Sequence, residues 1–143
     1  MIRSIEFGTP QYDEALQLRD ELLRKPLSLK FKSSEIEAEY EQFHFGSYST
    51  DGRLVGCLTL VALPEGEYKM RQVAVNTEEQ NRGVGKALVD YCENWVQQNG
   101  GRKILLHARE EAVGFYEKLK YLKIGDRFNE VGIPHFKMVK SLT

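Results

Sequence analysis

Cysteine is scarce in this sequence: Cys57 and Cys92 are the only two among 143 residues. They stand in neither a C-x-x-C pair nor a metal-binding pattern, which excludes a disulfide framework and predicts a reduced, cytoplasmic setting. Small buried hydrophobe is the usual role of such residues. An excess of one charge is missing too. Twenty Lys and Arg against 21 Asp and Glu leave a net charge of −1, so there is no overall field to draw nucleic acid or an anionic membrane. No apolar run approaches the ~20 residues that span a bilayer. The opening MIRSIEFGTPQYDE lacks the apolar core of a signal peptide. His44, His107 and His135 are far apart and give no metal-ligand spacing, so no metal is expected. Repeats, linkers and low-complexity segments are absent. What remains is a globular composition, 41% hydrophobic and 29% charged, suited to one domain over residues 1–143 with a single sizeable core.

Residues 2–7 read as a short strand carrying Ile5 and Phe7. From Pro10 to Lys25, the apolar positions Tyr12, Ala15, Leu16, Leu18, Leu22 and Leu23 recur near 3.6 and predict a helix. Thr9 is its N-cap, Pro10 its first residue and Pro26 its stop. Ser33 and Ser34 ahead of Glu35 and Glu37 predict a capped short helix over 34–41. Strands over 43–49 and 54–63 flank an Asp51-Gly52 hairpin turn. Another turn at Pro64-Glu65-Gly66 leads into a strand over 67–75.

A helix then runs from the Gly83–Gly85 loop to about Gln98, with Val84, Ala87, Leu88, Tyr91, Cys92 and Trp95 on one face. Gly100-Gly101 ends it. The continuous Ile104-Leu105-Leu106 run makes 103–108 a strand buried on both faces. A short helix over 111–119 and strands over 122–129 and 134–140 complete the chain. The order β-α-α-β-β-β-α-β-α-β-β describes an α+β (α/β layered) domain, a mixed sheet flanked by helices.

The stretch Gln80-Asn81-Arg82-Gly83-Val84-Gly85-Lys86-Ala87 opens the long helix with bare backbone. A helix N-terminus has unpaired N–H groups and the positive end of the dipole, so such a loop suits a phosphate. The spacing is not that of a Walker loop, because Gln80 and Ala87 stand where Gly and Ser or Thr are needed. Nor is it a dinucleotide fingerprint, because Leu88 replaces the third glycine. What it meets is Gln/Arg-x-x-Gly-x-Gly/Ala.

With that motif, the preceding strand MRQVAV and the downstream FYEKLKY, the chain resembles the GNAT superfamily of N-acetyltransferases over nearly its whole length. The resemblance implies a single domain with a mixed, mostly antiparallel sheet. It also implies acetyl-CoA as cosubstrate and a small-molecule or peptide amine as acceptor, with no nucleic acid or membrane partner. The closing Gly132-Ile133-Pro134-His135 segment is similar to the small bacterial ElaA-type subgroup. Lys120 departs from the family pattern, which has glycine there to ease a turn. A homodimer through the last strands is compatible with the family, though nothing in 120–143 distinguishes an interface from a covered edge.

The resemblance assigns roles residue by residue. Backbone groups of Gln80, Asn81, Arg82, Gly83, Val84, Gly85, Lys86 and Ala87 would cradle the pyrophosphate, and Val73, Ala74 and Val75 would pair with the pantetheine arm. Tyr116 corresponds to the general acid that protonates the departing thiolate. A phenol with reference pKa about 10 keeps its proton at neutral pH. Phe115 and Tyr116, about 100° apart on a helix, cannot both face one core.

The family's usual strand glutamate is missing from 68–75. Glu67, His44 and His135 are the candidate bases, each also readable as a structural residue. His107, on the apolar strand, reads as a satisfied core histidine. Glu35, Glu37, Glu39 and Glu41 read first as a solvated helix face and second as an attraction for a cationic amine. An alternative to catalysis is a silent GNAT fold that binds CoA as an interaction module.

Overall fold

The computed structural model describes residues 1–27 and 33–143, without the side chains of 27, 33 and 34. Among these residues, seven strands, β1 (Ile2–Ile5), β2 (Phe43–Tyr48), β3 (Leu54–Ala62), β4 (Glu67–Val75), β5 (Lys103–Arg109), β6 (Leu122–Glu130) and β7 (Ile133–Ser141), are interspersed with α-helices α1 (Pro10–Arg19), α2 (Ser33–Ala38), α3 (Val84–Gln98) and α4 (Val113–Lys118). The element order is the expected one. The strands form one sheet in the order β1-β2-β3-β4-β5-β7-β6, antiparallel at every junction except β4 with β5.

Local chemistry accounts for most boundaries. The Thr9 hydroxyl accepts from the Tyr12 N–H at 3.2 Å and caps α1, with Pro10 next. Pro26 does not stop the chain's helical path where expected. α1 continues through a π-helical turn, Asp20–Arg24, and a single 3-10 turn, Lys25–Leu27, that contains Pro26. Proline is tolerated there because the first turn of a helix has no use for its missing N–H. The expected Ser33 and Ser34 caps lie outside the described side chains.

Two cores lie on opposite faces of the sheet. One gathers Leu58, Leu60, Met70, Leu88, Val96 and Leu106 beneath α3 and α4. The other gathers Ile5, Tyr12, Ala15, Leu18, Cys57 and Ala74 beneath α1. Both cysteines are buried as small hydrophobes. The buried stripe of α3 is rotated from the expected one: Leu88, Val89, Cys92, Glu93 and Val96 are inside, while Ala87 and Tyr91 are exposed. Glu93 can lie on the buried side because Tyr121 Oη donates to it at 2.9 Å and Lys140 Nζ sits at 2.9 Å. A buried charge is tolerated when it is paired and hydrogen-bonded.

The feature that makes a site is in β4. Met70 and Ala74 are four residues apart, so strict alternation would put them on one face. Instead Met70 belongs to one core and Ala74 to the other. The register explains why: Ala74 opposes Cys57 and Arg71 opposes Thr59, leaving Gln72 and Val73 against the single residue Leu58. This is a β-bulge, with Gln72 in the left-handed region at φ 56°. β4 pairs with β5 only from Glu67–Met70 against Lys103–Leu106. Beyond Met70, β4 stays with β3 while β5 stays with β7. The sheet therefore splits into a V whose open arms are residues 71–75 and 107–109.

Candidate active site

The split holds a cleft of about 370 Å³. Its floor is Met70–Val73 and Leu106–Arg109. Leu23 and Arg24 of the π-helical turn and Glu35 of α2 form one wall, and Ala112 and Tyr116 another. Glu130, Val131 and His135 close it from the β6–β7 hairpin.

Tyr116 turns inward on α4, 7% exposed, its ring packed edge-on to Tyr121. Its hydroxyl makes no hydrogen bond among the described residues, and Tyr116 is one of the residues lining the cleft. Burial pushes its phenol above the usual tyrosine value, so the group is a proton donor rather than a base. The adjacent Phe115 points elsewhere: a Cβ built on Gly85 would lie 3.1 Å from Phe115 Cζ. Glycine at 85 thus lets α4 pack against the mouth of α3.

Behind Tyr116 the helix ends in a Schellman turn. Tyr121 N–H donates to Tyr116 O and Lys120 N–H to Glu117 O, each at 3.0 Å. Lys120 takes the left-handed conformation, φ 76°, that such a turn normally gives to glycine. The departure from the family pattern changes the residue and keeps the turn.

At the start of α3, Gly83 is in the left-handed region, φ 82°, and no side chain caps the helix. Val84, Gly85 and Lys86 occupy the first helical positions, whose N–H groups find no partner within the helix. Ala87 departs from the expected set, because its N–H donates to Gly83 O at 3.0 Å. The Gln80 side chain braces the loop: its Nε2 donates to Val75 O at 3.1 Å and ties the loop to the end of β4. Asn81 takes φ 67° in the same loop. Arg82 sits 3.7 Å from Glu79, and Lys86 Nζ 2.6 Å from Asp90. Val73 lines the cleft, Ala74 is buried in the α1-side core, and Val75 ends the strand.

The candidate bases separate. Glu67 lies at the far end of β4, opposite Lys103 where β4 and β5 are still paired, 4.0 Å from Arg102. It does not reach the cleft lining. His44 is buried on β2, its Nδ1 3.0 Å from Thr59 Oγ1 and its Nε2 3.0 Å from Glu39 O. Burial lowers its pKa, and both ring nitrogens are occupied.

His135 lines the cleft. Its Nδ1–H donates to Ile133 O at 3.0 Å, and its Nε2 is 3.6 Å from Glu130 Oε2. Glu130 meets His107 Nδ1 as well, at 2.9 Å. His107 is therefore a cleft residue and not a core histidine. β4 leaves β5 at Leu106, and His107 is the first β5 residue past the split. Burial pushes the Glu130 carboxyl up, but the His107 hydrogen bond and the charges of His107, His135 and Lys69 outweigh it and hold the group below its ordinary value. When the His107 ring is neutral, an ionised Glu130 favours its Nδ1–H tautomer, in which Nε2 keeps its lone pair. Sequence reasoning missed Glu130. The available signal was the hairpin register, which puts Phe128 opposite His135 and Glu130 two residues along on the same face.

The acetyltransferase (GNAT) domain family model matches residues 15–142. The chain belongs to the GNAT family of acetyltransferases. This GNAT chain spans about half the length of two curated relatives that it matches. It spans 92% of a third, the uncharacterised N-acetyltransferase YjcF of Bacillus subtilis (strain 168), at 27% identity over 131 residues, 91% of this chain. Escherichia coli ElaA has the same fold, with a TM-score of 0.83, 16% identity and 98% of each chain covered. So does the aminoglycoside 6'-N-acetyltransferase from Enterococcus faecium, with a TM-score of 0.77, 22% identity, and 100% of this chain and 97% of that one covered. At these identities the likeness is one of fold. No helix among the described residues is long and apolar enough to cross a membrane.

Proposed function

We propose that this GNAT domain transfers an acetyl group from acetyl-CoA to a primary amine by direct attack. The observation that carries the proposal is Tyr116, its hydroxyl without a hydrogen bond among the described residues, lining the cleft opened by the β4 bulge. The N–H groups of Gly83 to Lys86 would face an anion at the positive end of α3, which suits the pyrophosphate of the cosubstrate. The β5-facing backbone edge of Val73 to Val75 has no strand to pair with beyond Met70, which suits an extended pantetheine arm.

The amine lone pair attacks the thioester carbonyl and the C–S bond breaks. The CoA sulfur leaves as a thiolate and takes the Tyr116 proton, while the ammonium proton of the new amide passes to His107 Nε2, directly or through a water. Glu130 orients His107 and stabilises the imidazolium. Glu67 and His44 have no part in this scheme.

The test is thiol release from acetyl-CoA with a panel of amines, for the wild type and Tyr116→Phe. The variant should lose about 100-fold in kcat with unchanged acetyl-CoA affinity. An unchanged kcat would remove Tyr116 from the mechanism, and binding without turnover of any amine would favour the silent CoA-binding module.

A further inference from the structure

The charges around the cleft do not balance. Lys69 and Arg71 alternate with the core residue Met70 and so face the α1 side of the sheet, together with His107 and Arg109 of β5. Lys137 of β7 is the register partner of His107 and shares that face. The two carboxylates of the lining are both engaged: Glu35 lies 3.2 Å from Arg24, and Glu130 accepts from His107. Arg109 Nη2 donates to Leu23 O at 3.0 Å, which pins the π-helical turn to the cleft wall. Among the described residues, no carboxylate lies within ion-pair distance of Lys69, Arg71 or Lys137.

The crowding has a consequence for Lys69. Burial, first, and the neighbouring Arg71 and Lys137 lower its pKa, against the pull of Glu130. Nor do these cations serve the phosphate loop, because the cleft lining includes no residue of 80–87. Cations left without partners in a partly dehydrated cleft favour an incoming anion, and Arg71 suits a carboxylate or phosphate through its planar fork.

We infer that the acceptor is an anionic amine, a primary amine that also carries a carboxylate or phosphate, which Arg71 and Lys69 hold while the amino group turns toward Glu130 and His107. This rests on the acetyltransferase reading and names its substrate class. It also sets the chain apart from the E. faecium aminoglycoside acetyltransferase of the same fold, since an aminoglycoside carries several ammonium groups and would meet like charge here.

The experiment uses matched acceptors: glycine with glycinamide, β-alanine with its amide, phosphoethanolamine with ethanolamine, and spermidine and an aminoglycoside as polycations. The two anion chemistries are separated by which pair shows the larger ratio. The charged member of at least one pair should have a kcat/KM about tenfold or more above its neutral partner, the scale of one charge-assisted hydrogen bond. Arg71→Gln should bring that ratio close to one while its circular dichroism and acetyl-CoA affinity, read by calorimetry, stay at the wild-type values.

Preference for neutral or polycationic amines would overturn the inference and leave the acetyltransferase reading intact. So would a loss in Arg71→Gln of acetyl-CoA affinity in place of acceptor preference. A wild type that binds no acetyl-CoA would overturn the acetyltransferase reading itself. If acetyl-CoA binds and no acceptor reacts, titration of N-acetylglycine and N-acetylglycinamide with CoA present reads the preference directly, and equal binding overturns the inference.

Discussion

Two carboxylate–histidine clusters sit on the α1 side of the same sheet, and they differ in how much of their bonding capacity is used. Glu39 accepts from Tyr12 Oη at 2.8 Å and from both Nη atoms of Arg19 at 2.7 and 2.6 Å. Its backbone carbonyl takes His44 Nε2–H, and His44 Nδ1 accepts from Thr59. Arg19, Glu39 and His44 are all at most 4% exposed. In the second cluster Glu130 is 44% exposed along its side chain and bonds His107, whose Nε2 has no hydrogen bond among the described residues. The first cluster has its partners inside the protein and holds α1 and the turn before β2 to the sheet. The second lines a cleft with His107 Nε2 unbonded among the described residues, the difference expected between a cluster proposed for chemistry and one that holds the fold.

The largest effect should come from the buried Glu39 cluster. Glu39→Ala strands the Arg19 charge in the interior and should cost about 3–5 kcal/mol in urea unfolding, with activity per folded molecule retained. Glu130→Gln should do the reverse: stability within about 1 kcal/mol of wild type, and kcat lowered by about 100-fold. If Glu130→Gln unfolds the protein or Glu39→Ala abolishes turnover in the folded fraction, the division between the clusters fails.

Acid should discriminate next. Burial pushes the Glu39 carboxyl up, but the Arg19 hydrogen bond and charge more than offset this and keep it below its ordinary 4.5. Burial keeps His44 below its ordinary 6.5. Both groups bind fewer protons folded than unfolded, so stability rises with pH wherever the unfolded chain is taking them up. The urea midpoint should start to fall as the pH drops below about 6.5 through His44 and fall further below about 4.5 through Glu39. His44→Gln should flatten the first segment and leave the second. A wild-type midpoint constant from pH 7 to 5 would contradict the neutral, buried His44.

Backbone strain divides in the same way and supplies the smallest test. Among the described residues, Glu65, Gln72, Asn81, Lys120 and Val131 are the non-glycine residues with positive φ. Gln72 and Val131 line the cleft, Asn81 lies in the phosphate-loop candidate, and Lys120 ends the helix that carries Tyr116. Glu65, in the turn between β3 and β4, is the exception; the other four lie in or beside the candidate site, and none is in the Glu39 cluster. Lys120→Gly should stabilise the fold by about 1 kcal/mol at most, read as a rise in Tm with Tyr116-dependent activity unchanged. A destabilisation would show that the lysine side chain contributes something beyond filling the turn.

The sequence made the element order legible because turns, caps and periodicity are local. It offered Tyr116 and the glycine loop as candidates because the family motif lies in consecutive residues. The split of the sheet was hidden: Gln72 takes the bulge conformation without the glycine that would have flagged it. Because the split was hidden, His107 read as core and Glu130 was passed over. The burial of Glu39 and Glu93 was hidden as well. The partners that allow it, Arg19 in one case and Tyr121 with Lys140 in the other, lie 20 or more residues away. Charge burial is a long-range property, and a local pattern does not carry it.

In the proposed scheme the cleft beside the bulge works with the bare N-terminus of α3 to hold acetyl-CoA. The most direct measurement is calorimetric titration of acetyl-CoA into the wild type and into a Gly83→Asp, Gly85→Asp double variant. The wild type should bind, and the variant should lose roughly a hundredfold or more in affinity, because carboxylates and added bulk would occupy the place of the pyrophosphate. No binding by the wild type, or equal binding by both, would contradict it.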